Sequence, residues 1–227
     1  MDENLYLIHR YYDIRKTDTA NAIIYGAARK SYKEFWRRIV LKGKVCIDKK
    51  NDTEQEVENL LCCKIPVLLE VESQKEFDNS HKEICLEILH CYKAVGGIAY
   101  GIAQRWLNQT LLNLAVIEAI LKTQYWNIEG TRKYFHAPVE DAVIKAATFK
   151  VEGRFPHELN LQCAPLKHEL EEKGQRSCFL LGKMQPFELW TYEEYMEFQK
   201  AVRESVKRKG YKDTIEWVLK VIQVVRQ

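Results

Sequence analysis

Long apolar segments are absent from this chain. No apolar run approaches the roughly 20 residues that a membrane-spanning helix needs. The acidic, tyrosine-rich start, Met1-Asp-Glu-Asn-Leu-Tyr, lacks the pattern of a signal peptide. We therefore expect a cytoplasmic protein with no membrane partner.

Cysteine spacings typical of metal sites are also missing. The seven cysteines are an odd number, and none of them stands in a Cys-x-x-Cys pair or in a zinc or iron–sulfur spacing. Buried, reduced thiols fit this pattern best. The sequence thus predicts reduced cysteines and no metal site.

The common catalytic motifs are absent too. The chain has no Walker A loop, no Gly-x-Ser-x-Gly elbow, no His-Glu-x-x-His and no dinucleotide fingerprint after a strand. Arg132 and His136 stand one residue too close for the Arg-x4–6-His signature of the all-α HEPN ribonucleases. We therefore expect no cofactor. A Cys–His nucleophile pair stays open, because spacing along the chain does not reveal which residues meet in space.

The composition is that of a folded protein. Hydrophobic residues make up 46% of the 227 residues and charged residues 30%, which is enough apolar surface to bury a core. Strand signals are sparse and apolar residues recur at helical spacing, so we predict an all-α or nearly all-α fold. One globular unit over 1–227 is expected, and the pattern allows two helical lobes, about 1–95 and 96–227.

Helix boundaries follow from capping residues and apolar periodicity. Residues 1–19 lack a clear period and predict an extended or irregular arm, residues 125–133 predict a loop, and Ser31 is a candidate cap or break. Thr53 with Glu56, and Thr191 with Glu194, match the capping box. The predicted helices are 19–40, 53–64 (stopped by Pro66), 73–95, 101–122, 191–209 (ended by Gly210) and, capped by Asp213, a last helix to 225.

Charge is unevenly distributed along the chain. Between Arg10 and Lys50 there are twelve Lys or Arg against four Asp or Glu, whereas residues 51–91 hold three against ten. Basic residues return near the C-terminus, at Lys200, Arg203, Lys207, Arg208, Lys209 and Lys212. Such segments either bind a polyanion, DNA or RNA, or form the solvated faces of helices.

The segment from 96 to 141 stands out from the rest. Gly96, Gly97 and Gly101 fall within six positions, just where a long apolar helix begins. The N-terminus of that helix would present N–H groups and a positive dipole end to an anion. Polar residues concentrate in its first two turns, at Gln104, Arg105, Asn108 and Gln109, which indicates either a site or an exposed helix end.

Three short motifs of this segment resemble the helix-hairpin-helix DNA glycosylases, most closely the 8-oxoguanine branch. They are Gly97 to Gly101, Ala103-Gln-Arg105, and Pro138-Val-Glu140-Asp141. The resemblance implies a helical fold, a glycine hairpin on the phosphate backbone and a base flipped out of the duplex onto aromatic faces. Aromatic residues in the matching region are Trp106, Tyr125, Trp126, Tyr134 and Phe135.

Two positions depart from the family's pattern. Arg105 stands where the family has its catalytic lysine, and a guanidinium cannot act as an amine nucleophile. Glu140, followed by Asp141, stands where the family has aspartate after Pro-Val; either carboxylate would stabilise an oxocarbenium-like sugar or position a water, unless it only caps a helix. His136 is either a base contact or a packed histidine.

Two functions follow from these residues. The first is a DNA glycosylase-like hydrolase, with Glu140, Asp141 and Arg105 as catalytic candidates. The second is a non-catalytic nucleic-acid-binding or interaction subunit with a protein partner, which keeps the hairpin and has lost the chemistry. The candidate nucleic-acid contacts are the same in both: Gly97, Gly101, Gln104, Trp106, Asn108 and His136.

Overall fold

The computed structural model describes residues 2–36, 47–139, 143 and 190–226. Eight α-helices lie wholly within these residues, and none of the described residues belongs to a strand. The predicted all-α class is confirmed. No helix in these parts of the chain is both long enough and apolar enough to cross a membrane.

The chain divides into two compact units. The first comprises Met1–Ile98 with Ile102–Phe135, and the second comprises Ala99–Gly101 with His136–Gln227. One globular unit over 1–227, and the alternative of two helical lobes at about 1–95 and 96–227, both stay predictions. The helices of the first unit are α1 (Glu3–Tyr12), α2 (Ala20–Phe35), α3 (Ile47–Leu68), α4 (Gln74–Tyr92), α5 (Tyr100–Leu121, whose first two residues group with the second unit) and α6 (Ile128–Thr131).

The core of the first unit is built around α5. Trp106 is fully buried, and its ring packs against Tyr32, Phe35 and Tyr92, which come from α2 and α4. Its indole N–H donates to the Ala28 carbonyl at 3.0 Å. The long apolar helix predicted to begin at the glycines is therefore present as α5, and Trp106 lies on the face that packs against the neighbouring helices.

The predicted irregular arm at 1–19 is wrong over α1. The Asp2 carboxylate accepts from the Asn4 N–H and caps this helix, and Asp13 ends it in the left-handed conformation at φ 58°. Ile8 is the buried residue of α1. One inward-facing residue in ten gives too weak a period to recognise in the sequence.

The predicted boundaries of α2 and α3 also need correction. Ser31 neither caps nor breaks α2, because it is buried within that helix and its hydroxyl donates to the Ala27 carbonyl at 2.8 Å. Thr53 does not start α3, which begins six residues earlier. Its hydroxyl donates to the Lys49 carbonyl at 2.9 Å. Pro66 lies inside the last turn of α3 and does not stop it. The predicted end of α2 near residue 40 lies outside the described residues.

Other predicted elements of the first unit are present. Ser73 caps α4 by accepting from the Glu76 N–H at 3.2 Å. A 3₁₀ turn, Lys93–Val95, extends α4 to the glycine pair. The predicted loop at 125–133 is wrong in part, since it contains α6 and most of a second 3₁₀ turn, Arg132–Tyr134.

The second unit contributes α7 (Tyr192–Lys209) and α8 (Thr214–Arg226). The capping box of Thr191 and Glu194 is present in both directions, and Gly210 ends α7 at φ 71°. Asp213 caps α8 by accepting from the Glu216 N–H at 2.9 Å. All three signals predicted for this region are confirmed. Its core contains the buried side chains of Trp190, Tyr195, Phe198 and Trp217.

Candidate functional site

The glycine pair forms a helix-terminating turn. Gly96 and Gly97 have φ angles of 107° and 77°, which only glycine adopts without strain. The Gly97 N–H donates to the Tyr92 carbonyl at 2.8 Å, the bond that closes a helix C-terminus. A Cβ added at Gly97 would meet no described atom within 4 Å, so the conformation and not a close approach requires glycine here. Gly101 lies within α5, and its N–H donates to the Trp190 carbonyl at 3.3 Å.

Three of the four polar residues in the first turns of α5 are buried and Gln109 is half-buried, so an exposed helix end does not account for them. Gln104 is 0% exposed and Asn108 1%. The Asn108 amide nitrogen donates to the Gln104 side-chain oxygen at 2.9 Å. The Asn108 side-chain oxygen lies 2.8 Å from His81 Nε2 and is hydrogen-bonded to it. The other ring nitrogen of His81 lies 3.7 Å from Cys85 Sγ. A polar chain therefore runs from α5 to α4 through the core.

Cys85 and His81 form a Cys–His pair, the one type of catalytic nucleophile that spacing along the chain could not exclude. The Asn108 oxygen requires a proton on His81 Nε2, which makes Nδ1 the acceptor and the thiol the donor. Both residues are 0% exposed. A fully buried thiol lacks the access to a substrate that nucleophilic catalysis needs. The pair is part of the packing, and its i, i+4 spacing on α4 was the available signal.

Arg105 and Trp106 both point into the first unit. Arg105 is 7% exposed, and its guanidinium carbon lies 5.6 Å from the centre of the Phe35 ring. Trp106 is completely buried and has no exposed face on which a base could stack.

His136 belongs to the second unit and is held from both sides. The Arg203 guanidinium donates to His136 Nε2 at 2.7 Å, which places the ring proton on Nδ1, beside the Tyr195 hydroxyl. His136 is 2% exposed. Next to it, the Gln199 amide bonds both the N–H and the carbonyl of Ala137, at 2.9 and 2.8 Å. These contacts make His136 a packed histidine and fix the segment that leads to Pro138. Glu140 and Asp141 lie outside the described residues.

Arg203 also belongs to a basic segment at the end of α7. Residues 200–212, here called the basic segment, carry six Lys or Arg and a single carboxylate, Glu204. Five of the six cations are exposed: Lys200, Lys207, Arg208, Lys209 and Lys212.

The basic residues of α2 have a different environment. Burial raises the pKa values of Glu54 and Glu58 on α3, and Arg29 and Lys33 on α2 are close enough to oppose that shift. The positive charge of α2 is therefore partly compensated within the first unit. The C-terminal basic region, by comparison, holds a single carboxylate, Glu204, among its six cations.

No family model, curated protein or solved structure matches this chain. The likeness to the hairpin glycosylases consequently rests on the three short motifs alone, and it stays a prediction.

Three of the five aromatic residues in the matching region surround a cavity of about 540 Å³ in the first unit. Tyr125, Trp126 and Tyr134 line it and keep part of their surface exposed. Phe135 is buried and stacks on Phe77, with ring centres 5.7 Å apart. Within the described ranges, no group of three or more His, Cys, Asp or Glu is arranged to hold a metal ion.

Proposed function

We propose that this chain is a cytoplasmic, helical nucleic-acid-binding protein related in mechanism to the base-excision DNA glycosylases, and that the basic segment contacts phosphates. The observation that carries the proposal is the local excess of positive charge, six cations to one carboxylate over residues 200–212, with five of the cations exposed. Phosphate contacts from Lys and Arg supply most of the affinity of such proteins for DNA or RNA.

Helix stabilisation explains only part of this charge. Cations in the last turn of a helix interact favourably with its dipole, and Lys207, Arg208 and Lys209 occupy that position in α7. Lys200 lies two turns earlier and Lys212 lies beyond the helix, where the dipole effect has faded. Both are exposed. A polyanion gives Lys200 a role that capping does not.

In the catalytic form of the proposal, Glu140 or Asp141 stabilises an oxocarbenium-like sugar while a base leaves, without a lysine Schiff base. The second candidate function is a non-catalytic binding or interaction subunit with a protein partner. Two observations favour it: Arg105 is nearly buried where the family has its nucleophile, and both ring nitrogens of His136 already have partners.

Base release from damaged and undamaged oligonucleotides, DNA and RNA, tests the proposal when a borohydride trap is run alongside. Release without trapping, lost in Glu140→Gln or Asp141→Asn at an unchanged melting temperature, is the expected result for a carboxylate mechanism. Release with trapping would show that a lysine elsewhere in the chain does the chemistry. No release, together with salt-sensitive binding, would select the non-catalytic function. Binding that does not depend on salt would overturn the phosphate-contact proposal itself.

A further inference from the structure

The aromatic cavity of the first unit lies at the C-terminal end of α3. Its walls come from three separate stretches of chain: the end of α3 with the residues up to Glu72, the loop around Tyr125 and Trp126, and the segment from Gly130 to Tyr134. The Thr131 hydroxyl donates to the Leu69 carbonyl at 2.8 Å and joins two of these walls. At about 540 Å³ the cavity has room for a small molecule or for the end of a long side chain.

Two of the three aromatic walls are fixed by hydrogen bonds from their hydroxyl groups. The Tyr125 hydroxyl donates to the Asp18 carbonyl at 3.1 Å, and the Tyr134 hydroxyl donates to the Glu72 carbonyl. Trp126 packs against Tyr125 with ring centres 5.7 Å apart and planes at 64°. The rings are thus held in place before any ligand arrives, which lowers the entropic cost of binding.

The loop that carries Tyr125 is held in an unusual conformation. Lys122 and Gln124 both have positive φ, 54° and 58°, where residues other than glycine are strained. The Glu118 carboxylate stabilises this turn by accepting from the Thr123 hydroxyl and from the Gln124 N–H at 2.7 Å. Backbone strain that the surrounding structure maintains in this way is common beside binding sites.

Acidic side chains outnumber basic ones in the lining of the cavity. Glu70 and Glu72 line it and are exposed, whereas Lys133 is the one cation among its described lining residues. The 22-residue helix α3 ends here, and its last turn contains no basic residue to offset the partial negative charge of its carbonyls. Phosphate is therefore a poor ligand for this cavity, and a cation is a good one.

One cation–π contact is already present in the cavity wall. The Nζ atom of Lys133 lies 4.8 Å from the centre of the Tyr134 ring. Tyr125 and Trp126 supply two further rings of the kind that attract cations through their faces. Three fixed rings, two carboxylates and a helix C-terminus form the combination that recognises a bulky, weakly hydrated ammonium group.

We propose that the cavity formed by Tyr125, Trp126, Tyr134, Glu70 and Glu72 binds an organic cation, namely a substituted ammonium group. This site is separate from the proposed nucleic-acid function and does not depend on it. The ammonium group sits against the aromatic faces, and Glu70 and Glu72 supply the opposite charge.

Binding of choline compared with its neutral isostere 3,3-dimethyl-1-butanol tests the proposal on the full chain. The two compounds have the same shape and differ in the charge of one atom. We expect choline to bind about five- to thirtyfold more tightly, since a cation–π contact in a partly desolvated site is worth ~1–2 kcal/mol. Its N-methyl proton resonances should move upfield on binding, because aromatic rings surround them. Equal affinity for the two compounds, or no binding of choline, would overturn the proposal.

Two variants localise the binding. Tyr125→Leu and Glu72→Gln should each weaken choline binding severalfold, and the 46% exposure of Tyr125 limits the structural damage. Trp36→Leu is the matched aromatic control, because Trp36 is 41% exposed and is not part of the cavity lining. Glu3→Gln is the control for the lost charge. Equal losses in the controls and the cavity variants would contradict the assignment.

A second ligand tests whether the cation belongs to a small molecule or to a modified protein side chain. A short peptide with one trimethyllysine carries the same head group on a side chain. Affinity equal to that of choline would indicate a site open to a modified protein tail. Binding of choline alone would indicate a site for a small molecule.

Discussion

Glu58 shows how a single buried carboxylate ties the stability of the first unit to pH. It is 2% exposed, and its Oε1 atom has no hydrogen-bond partner. Burial raises its pKa above the ordinary value of 4.5, and the Tyr25 hydroxyl and Arg29 oppose that shift without cancelling it. The protonated side chain is therefore the form that the fold accepts most readily.

We predict that Glu58→Gln stabilises the protein at neutral pH. Because the folded pKa lies above the unfolded one, the folded state binds more protons between the two values, and stability falls as pH rises through that window. Glutamine removes this loss. The gain over the parent should be near zero below pH 4.5, grow as the pH rises through the folded pKa, and appear at pH 7 as a higher melting temperature.

Thermal unfolding across pH measures this effect. Glu56→Gln is the control, because Glu56 is exposed on the same helix and should leave the curve unchanged. The raised pKa of Glu58 would be contradicted if the stability of the parent rose steadily from pH 4.5 to pH 7 and Glu58→Gln left that curve unchanged.

Buried polar residues were also the ones whose roles were hardest to predict from sequence. Gln104 and Asn108 are polar residues in an apolar helix, a pattern that predicts either a site or an exposed helix end. The structure instead places them in an internal chain of hydrogen bonds. Asn113, further along α5, likewise donates to the buried Ser31 hydroxyl at 2.9 Å and links α5 to α2. Apolar periodicity identifies the inward face of a helix, but it does not show whether a polar residue on that face has a partner inside.

At the scale of elements, two identical capping patterns had different outcomes. Thr191 and Glu194 form a complete capping box, whereas Thr53 and Glu56 lie in the middle of α3. The four-residue pattern does not include what precedes it. The helix already includes Ile47–Asp52, upstream of Thr53, so the Thr53 hydroxyl donates to the Lys49 carbonyl within the helix. Thr191, by contrast, precedes its helix and is in an extended conformation at ψ 172°.

We predict that the two threonines respond differently to the same isosteric substitution. Thr191→Val removes the oxygen that accepts from the Glu194 N–H and should cost about 1 kcal/mol. Thr53→Val keeps the shape of the side chain, and the Lys49 carbonyl it releases already lies within a helix, so the cost should be below ~0.5 kcal/mol. Urea unfolding of both variants gives the comparison. Equal costs would show that capping does not distinguish the sites.

At the scale of the whole molecule, the all-α class and several helix ends followed from local patterns, because each depends on residues close together in sequence. The start of α4, the end of α7 and the start of α8 are marked by Ser73, Gly210 and Asp213 in this way. The aromatic cavity has no such local mark. Its walls come from residues 66–72 and 125–134, which only the tertiary fold brings together.

The uneven charge distribution allows a test of whether nucleic acid is attracted by the net charge of the protein or by one local surface. Lys207→Gln with Arg208→Gln, and Arg29→Gln with Lys33→Gln, lower the formal net charge of +3 by the same two units. The first pair belongs to the basic segment, whereas the second pair lies near Glu54 and Glu58. If net charge alone attracts nucleic acid, the two double variants should lose affinity equally.

We expect them to differ instead. Each cation that contacts a phosphate contributes about −0.9 to the slope of log Kobs against log salt for duplex DNA, so the first double variant should lose up to ~2 units of slope. The second should keep the parent slope, because nearby carboxylates already compensate its cations. Titrating a fluorescent duplex at several salt concentrations gives both slopes. The same reduction in both variants would assign the binding to the general field of a basic protein, and a reduction only in the α2 variant would move the phosphate contacts to the first unit.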